Sequence, residues 1–402
     1  MLRYLLGLLL VIPVFPQKLL VVDVDDLGPQ MLADHPTDFF SLADGQARRY
    51  DRFYTCPVCS PTRATVNYGV RASHPDLQAP WLVDYSHSPY STPTAGPLVP
   101  LAQALAGAGV STAKIGKWHM SPHDQLNHPL EQGWDSYVGV MSNPQDYYNF
   151  NLNDNGTLVP VSGVYLTCLE SQQTRAAVDA GVQFISTSYH SIHDPFHVPP
   201  AGTYSGPVPT TDYDMGVAML ENLSHELTLT LGHALANGYY VILFGDNGGL
   251  GLFGGCKGSP RECGVRTWMY VAGPGIVGAR DSSLVASYDI YATVLQFFGI
   301  PRGPGMGAQS VSFIPTVMGQ PGARQTVFVE RYTTNGAAPL DSLWHTGTIG
   351  VRFKYRRRFG VDILVDLENN PADTQNLLNQ ALTPEADAAY QFLLTEFQAW
   401  TQ

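Results

Sequence analysis

Cys59-Ser60-Pro61-Thr62-Arg63 brings a thiol, a helix start and a guanidinium together in five residues. Pro61 suits the first helical position, where a missing N–H costs nothing, and Gly69 suits the stop. Cys59 then lies at the positive end of a helix dipole, where free backbone N–H groups favour an anion. Arg63 follows one turn later on the same face. Such a grouping makes a good oxyanion site. Other readings stand beside it. A buried cysteine is commonly inert packing, and Cys56-Pro57-Val58-Cys59 also spells the C-x-x-C of a half zinc site or a redox pair.

A second set of residues offers oxygen ligands. Asp25-Asp26-Leu27-Gly28 and Asp246-Asn247-Gly248-Gly249 each follow an apolar run. Their donors suit a hard divalent cation, calcium or magnesium, rather than zinc. Each is also an ordinary turn sequence; both at expected strand ends favour a metal. Gly116-Lys117-Trp118-His119 follows another expected strand, and Lys257 sits in the loop Gly254–Pro260. His193 opens a proline-bounded loop ending at Pro199, with His190 and His197 as nearby decoys; one of the three could be purely structural. Lys117 and Lys257 could likewise be plain surface lysines.

These groups need a scaffold that makes them converge. Lys18–Val24 and Tyr239–Phe244 are continuous apolar runs, as expected for buried parallel strands. Val110–Ile115, Gly181–Ser186 and Thr267–Val271 are further strand candidates. Pro100–Ala108, Asp212–Ala236 and Ser287–Phe298 are expected helices, the second with Val217, Leu220, Leu227 and Leu231 on one stripe and Gly238 as its stop. Alternating strands and helices argue for an α/β fold with a mostly parallel central sheet flanked by helices. Ligands in such sheets sit beyond the carboxyl ends of the strands. After Pro321, Thr326–Tyr332, Thr346–Tyr355 and Val361–Val365 predict a small C-terminal antiparallel sheet, closed by a helix over Pro384–Trp400. The expected organisation is a leader over 1–17, a catalytic α/β domain over 18–320 and a C-terminal subdomain over 321–402.

The 402 residues carry a net charge of −12, with only 14% charged and 44% hydrophobic residues. This excludes a basic nucleic-acid-binding face. Lysine is confined to Lys18, Lys114, Lys117, Lys257 and Lys354. Arg3 followed by the apolar run Leu5–Val14 has the form of a signal peptide and is too short to span a membrane; a buried first strand is the other reading. No later stretch looks transmembrane. Export to the periplasm, the secretory pathway or outside the cell is expected, which suits disulfides. With Cys59 set aside, Cys256–Cys263 and Cys56–Cys168 are the suggested bridges, one of three possible pairings.

Taken in order, these motifs resemble the formylglycine-dependent (type I) sulfatases of the alkaline phosphatase superfamily. Cys59-Ser-Pro-Thr-Arg63 with Gly69 looks like their active-site signature, and Leu101–His119 is similar to their second. Asp25-Asp26-Leu-Gly28, His193-x-Pro195-x-x-x-Pro199, Asp246-Asn247-Gly-Gly, Lys257 and Gly264-Val-Arg266 also match, as do the tail segments Val351-Arg-Phe-Lys-Tyr355 and Val365–Pro371. The chain departs from the pattern at Thr62, at Val66-Asn67-Tyr68 and at Cys263, and it is short for the family.

The resemblance implies a sulfuric ester hydrolase. A separate maturation enzyme would oxidise Cys59 to formylglycine, and the hydrated aldehyde would attack sulfur. Asp25, Asp26, Asp246, Asn247 and residue 59 would hold Ca2+, or Mg2+. Arg63 would hold the diol, Lys117 and Lys257 would neutralise the sulfuryl oxygens, His193 would protonate the leaving alcohol, and His119 would promote release of sulfate. Two alternatives stay open: a phosphoester or phosphonate-ester hydrolase on the same scaffold, and a non-catalytic binding protein. The substrate is expected to be a sulfated sugar or an aryl or alkyl sulfate, small or attacked at a chain end. Its specificity would lie in the loops His87–Pro100, Asn143–Tyr165 and Thr203–Tyr213, with Tyr147, Tyr148 and Phe150 available to stack on a ring. Oligomeric state is not readable.

Overall fold

A computed structural model describes residues 18–77, 97–331, 346–358 and 360–401. The expected leader over 1–17 and most of the loop His87–Pro100 lie outside the described residues. Among those described, eleven strands form one sheet. They are β1 (Leu19–Val24), β2 (Arg48–Tyr54), β3 (Thr112–Gly116), β4 (Ser136–Gly139), β5 (Asn149–Asp154), β6 (Thr157–Ser162), β7 (Phe184–Tyr189), β8 (Tyr240–Gly245), β9 (Arg266–Ala272), β10 (Ala279–Asp281) and β11 (Val285–Ala286). The order is β10-β2-β9-β8-β1-β7-β3-β4-β5-β6, with β11 also on β2. The centre, β8-β1-β7-β3-β4, is wholly parallel, while β9, β5 and β6 run antiparallel to their neighbours.

Both faces of the sheet are covered, so β1 divides its side chains between two cores. Leu19 and Val21 join the core that holds the helices Cys59–Tyr68 and Asp289–Phe297. Leu20, Val22 and Val24 join the core under Leu166–Asp179 and Asp212–Ala236. This alternation is the period-two geometry of a strand, and a strand buried on both faces must be apolar throughout. Asp23 breaks that rule and, by register, shares the face of Val21 and Leu19.

The expected elements hold, with several corrections. The helix Asp212–Ala236 has the predicted bounds, and Gly238 beyond it has a φ of 78°. The Pro100–Ala108 helix is shorter, Leu101–Ala106. The helix carrying Cys59 starts at Cys59 itself, so Pro61 is its third residue and not its first; the first four N–H groups lack a partner anyway, so proline is tolerated there. Thr346–Tyr355 is two strands, and Asn143–Tyr165 is largely the hairpin β5–β6. Asn155 and Gly156 form its two-residue turn, with φ of 48° and 88°. Asn-Gly is the expected pair where both central residues take positive φ.

The tail forms a second, antiparallel sheet of β12 (Val327–Val329), β13 (Thr346–Ile349), β14 (Phe353–Arg358) and β15 (Val361–Asp366), in that order. The final helix, Pro384–Thr401, packs Leu393 and Phe397 against Phe353, Tyr355 and Leu364. Val327, Val329 and Ile349 pack instead with Tyr54, Val265 and Tyr288 beside the large sheet.

One disulfide of the suggested pair exists. Cys256–Cys263 is bonded, but Cys56 and Cys168 are both free. They lie against cores on opposite faces of the central sheet, which no disulfide can cross.

Leu223 is fully buried on the helix Asp212–Ala236. Leu223→Ala should cost about 2–5 kcal/mol. Urea unfolding checks this: the midpoint should fall with the slope unchanged.

Candidate active site

Four adjacent parallel strands deliver the expected groups. In spatial order, β8 leads into Asp246-Asn247, β1 into Asp25-Asp26, β7 into the loop of His193, and β3 into Lys117-Trp118-His119. Cys59 and Arg63 arrive on the helix Cys59–Tyr68, and Lys257 comes from the connection between β8 and β9.

Arg63 lies at the centre. Its Nη1 is 2.7 Å from Asp23 Oδ2, and its Nη2 is 3.4 Å from Asp246 Oδ2 and 3.8 Å from Asp25 Oδ2. Lys117 pairs with Asp25, both fully buried. Lys257 Nζ donates to Asp26 Oδ2 at 2.7 Å, and His193 Nε2 lies 3.6 Å from the same oxygen. Cys59 Sγ lies 3.2 Å from His119 Nδ1. Asp26 and His119 have φ of 60° and 54°. That region is unfavourable for residues with a side chain and persists only where the surroundings hold it.

All the expected catalytic residues thus come together, and two more join them. Asp23 accepts from Ser188 Oγ at 2.6 Å while holding Arg63. Lys114 donates to Ser186 and Ser188, with Asp23 Oδ1 at 4.0 Å. The available signal was a lone charge inside each otherwise buried strand. Asn247 sits among the carboxylates but turns its amide nitrogen to Asp26 and Asp246, at 2.8 Å each. Its oxygen accepts from Gly249 N–H; an oxygen ligand from Asn247 requires that amide to rotate.

Other expectations change. Tyr147 is fully buried and cannot stack on a ligand; its hydroxyl donates to the carbonyls of His190 and His193 at 2.8 Å and braces that loop. His190 is structural, held between Glu170 and the Ser142 carbonyl. His197 lies 3.7 Å from Asp146 Oδ1. Tyr148 and Phe150 are partly buried.

Electrostatics assign protonation. Burial raises the Cys59 thiol more than Lys117 lowers it, so it is no thiolate at neutral pH. Burial, then Lys117 and Arg63, push His119 well below the usual imidazole range, leaving a neutral ring that can accept a proton. Burial opposes ionisation of Asp25, but Lys117, His193, Arg63 and Lys257 outweigh it and hold the carboxyl well below its usual range. Burial and the nearby Asp25 push Asp246 well above it.

The donor set fits a divalent cation. Ligand atoms of Asp25, Asp26 and His193, and of Asp25, Cys59 and Asp246, lie within 4.8 Å of one another in each group. Asp25 Oδ1 is buried with no hydrogen-bond partner. That orphaned oxygen and the raised Asp246 are what a carboxylate cluster shows when it can take further positive charge.

A carboxylate–cation cluster on parallel strand ends, facing a cysteine at a helix start, defines the class. The sulfatase family model matches residues 28–300, and the chain belongs to the sulfatase family, in the alkaline phosphatase superfamily. Arylsulfatase J of Mus musculus is 26% identical over 282 residues, 61% of this chain and 46% of that protein. The chain thus spans about half the length of that curated relative. Among solved structures, Ps i-CgsB has a TM-score of 0.82 at 18% identity, covering 96% of this chain and 92% of that one. The PsFucS1 sulfatase from Pseudoalteromonas sp. has a TM-score of 0.71 at 20% identity, covering 96% and 91%. These likenesses carry the fold.

Asp23→Ala would leave Arg63 without its shortest partner. Breaking a buried pair from one side should cost about 3–5 kcal/mol. A denaturation curve of the variant checks this, and a loss below about 1 kcal/mol would mean the pair is solvated like a surface bridge.

Proposed function

We propose that the chain hydrolyses sulfate monoesters, using residue 59 after conversion of Cys59 to formylglycine by a separate maturation enzyme. The observation that carries this reading is the convergence of Arg63, Lys117, His119, His193 and Lys257 on the start of the Cys59 helix. Sulfuryl transfer needs an oxygen nucleophile, charge neutralisation and a proton for the leaving group. A thiol attacking sulfur would leave a thiosulfate ester without an easy hydrolytic exit. The hydrated aldehyde of formylglycine supplies an oxygen nucleophile that can leave again by elimination.

Each side chain then has a task. Arg63 orients residue 59. Lys117 and Lys257 neutralise charge building on the sulfuryl oxygens. Both stay charged: burial is the largest single effect and lowers them, but Asp25 with the residue 59 thiol for Lys117, and Asp26 with that thiol and Asp25 for Lys257, together raise them by more. His193 donates a proton to the departing alcohol. His119, beside residue 59, accepts the proton whose loss frees sulfate. Asp25, Asp26, Asp246 and residue 59, with Asn247 once its amide rotates, would hold Ca2+ or Mg2+, which as a Lewis acid polarises a sulfuryl oxygen.

Charge balance supports an anionic substrate. The buried carboxylates Asp23, Asp25, Asp26 and Asp246 already face Arg63, Lys114, Lys117 and Lys257. A divalent cation added to that balance makes the pocket positive, which favours a sulfate ester. The substrate class is a sulfated sugar or an aryl or alkyl sulfate, small or attacked at a chain end. The catalytic domain is read as 18–320 and the C-terminal subdomain as 321–402. The Cys256–Cys263 bridge supports export to an oxidising compartment, in keeping with the leader 1–17.

Two measurements test this. Protein made with a maturation enzyme should yield a peptide mass for formylglycine at position 59 and should release sulfate from at least one member of an ester panel. Cys59→Ala should abolish that release, and Lys117→Ala should lower kcat about 100-fold or more. Formylglycine present with phosphate release and no sulfate release would move the reading to a phosphoester hydrolase. Calorimetry should also show one Ca2+ site, weakened about tenfold or more by Asp25→Asn; no Ca2+ or Mg2+ binding by the mature protein would remove the metal.

A further inference from the structure

The motif around Lys354 has no part in the chemistry above, yet Lys354 is fully buried. On β14, Phe353 and Tyr355 face the final helix, so Lys354 between them points to the opposite side. There its Nζ donates to the Pro260 carbonyl at 2.7 Å and to Glu262 Oε1 at 2.9 Å, and pairs with Asp373 Oδ2 at 3.0 Å. The first two are hydrogen bonds and the third is an ion pair, so the buried ammonium is held by two charges and a carbonyl.

Both hydrogen-bond acceptors belong to the segment that carries Lys257. Pro260 and Glu262 lie inside the loop closed by Cys256–Cys263. That loop is tied at other points as well. Lys257 N–H donates to the Gly249 carbonyl at 2.9 Å, and Gly258 N–H to the Pro57 carbonyl at 2.8 Å, two residues before Cys59. Glu262 also accepts from the Tyr54 hydroxyl at 3.0 Å. Asp373 is fully buried with a φ of 53°, and Arg356 holds it at 3.1 Å. A side-chain-bearing residue in that conformation is kept there by its partners.

We propose that Lys354 is a positioning residue for Lys257. The small sheet extends a buried ammonium into the disulfide loop, and that grip sets where the Lys257 side chain meets Asp26 and the substrate anion. A disulfide alone closes the loop but does not fix its orientation on the large sheet. A shift of about 1 Å in a catalytic group can cost about 100-fold in rate, so the grip has kinetic consequences well away from the reacting atoms.

The kinetic arm of the test rests on the sulfatase reading; a second arm does not. In the first, kcat and KM for a released sulfate ester are compared in the matured wild type, Lys354→Met, Lys257→Ala and the double variant. Lys354→Met should lower kcat/KM roughly tenfold to 100-fold, and should add nothing once Lys257 is alanine, because the two act as a unit. Losses that multiply in the double variant would overturn the proposal. In the second, amide hydrogen exchange is followed across residues 256–264. Lys354→Met should speed exchange there while β1 and β8 keep wild-type protection. Unchanged exchange in the loop, or faster exchange throughout the protein, would overturn the proposal. If Lys354→Met does not fold, Glu262→Gln replaces it, removing one charged acceptor at nearly constant volume, with the same expected outcomes. A wild type that releases no sulfate refutes the sulfatase reading alone, and the exchange measurement then decides the role of Lys354.

Discussion

The contact of Arg63 with the carboxylates at the ends of β1 and β8 is the constraint that the site depends on. Asp23, Asp25 and Asp246 are buried together, and stripping water from even one ion costs several kcal/mol. The planar guanidinium reaches all three at once, which a lysine's point charge could not. The helix that carries Arg63 is therefore held at a set distance from the sheet, and its first residue, Cys59, is held with it. The position of Cys59, the proposed nucleophile, follows from the need to neutralise buried acid.

The parallel sheet does the rest of the assembly. Strands that run the same way end on the same edge, so the segments after β8, β1, β7 and β3 open into one crevice. The spatial order places the carboxylates of β8 and β1 on one side and the cations and histidines after β7 and β3 on the other. Opposite charges then meet across the crevice. The helix N-terminus at Cys59 adds its own positive end from one face of the sheet. Antiparallel neighbours would have sent alternate loops to the far edge and split the cluster.

Lysine usage shows how tightly this chemistry is built in. In an acidic chain with five lysines, Lys114, Lys117 and Lys257 line the cluster and Lys354 braces the loop of Lys257. Lys18 alone stands apart, over the ring of Tyr239. The small sheet is thus more than an appendage: one of its faces packs the final helix and the other reaches toward the site.

The types and order of the residues that converge at the site were readable along the chain. So were the elements with unbroken patterns, because apolar runs and a long stripe with a glycine stop report local physics: β1, β8 and the helix Asp212–Ala236 followed directly. β2 escaped because its alternating arginines and aromatics look like a loop at that length. The hairpin β5–β6 escaped although Asn155-Gly156 announces it, because β5 is mostly polar, Pro160 interrupts β6, and both strands are largely exposed. Tyr147, offered as a stacking ring, proved to be a brace, since burial is a property of the fold and not of the residue.

What the sequence by itself determined was the chemistry on offer: a cysteine at a helix start, oxygen ligands at strand ends, and a few well-placed cations. Only the tertiary structure decided the partners: Asp23 for Arg63, Asp26 for Lys257, Lys354 for the disulfide loop. The reason is physical. Asp26 and Asp246 meet across 220 residues of chain, and such a pairing is set by the order of strands in the sheet, which no local periodicity encodes.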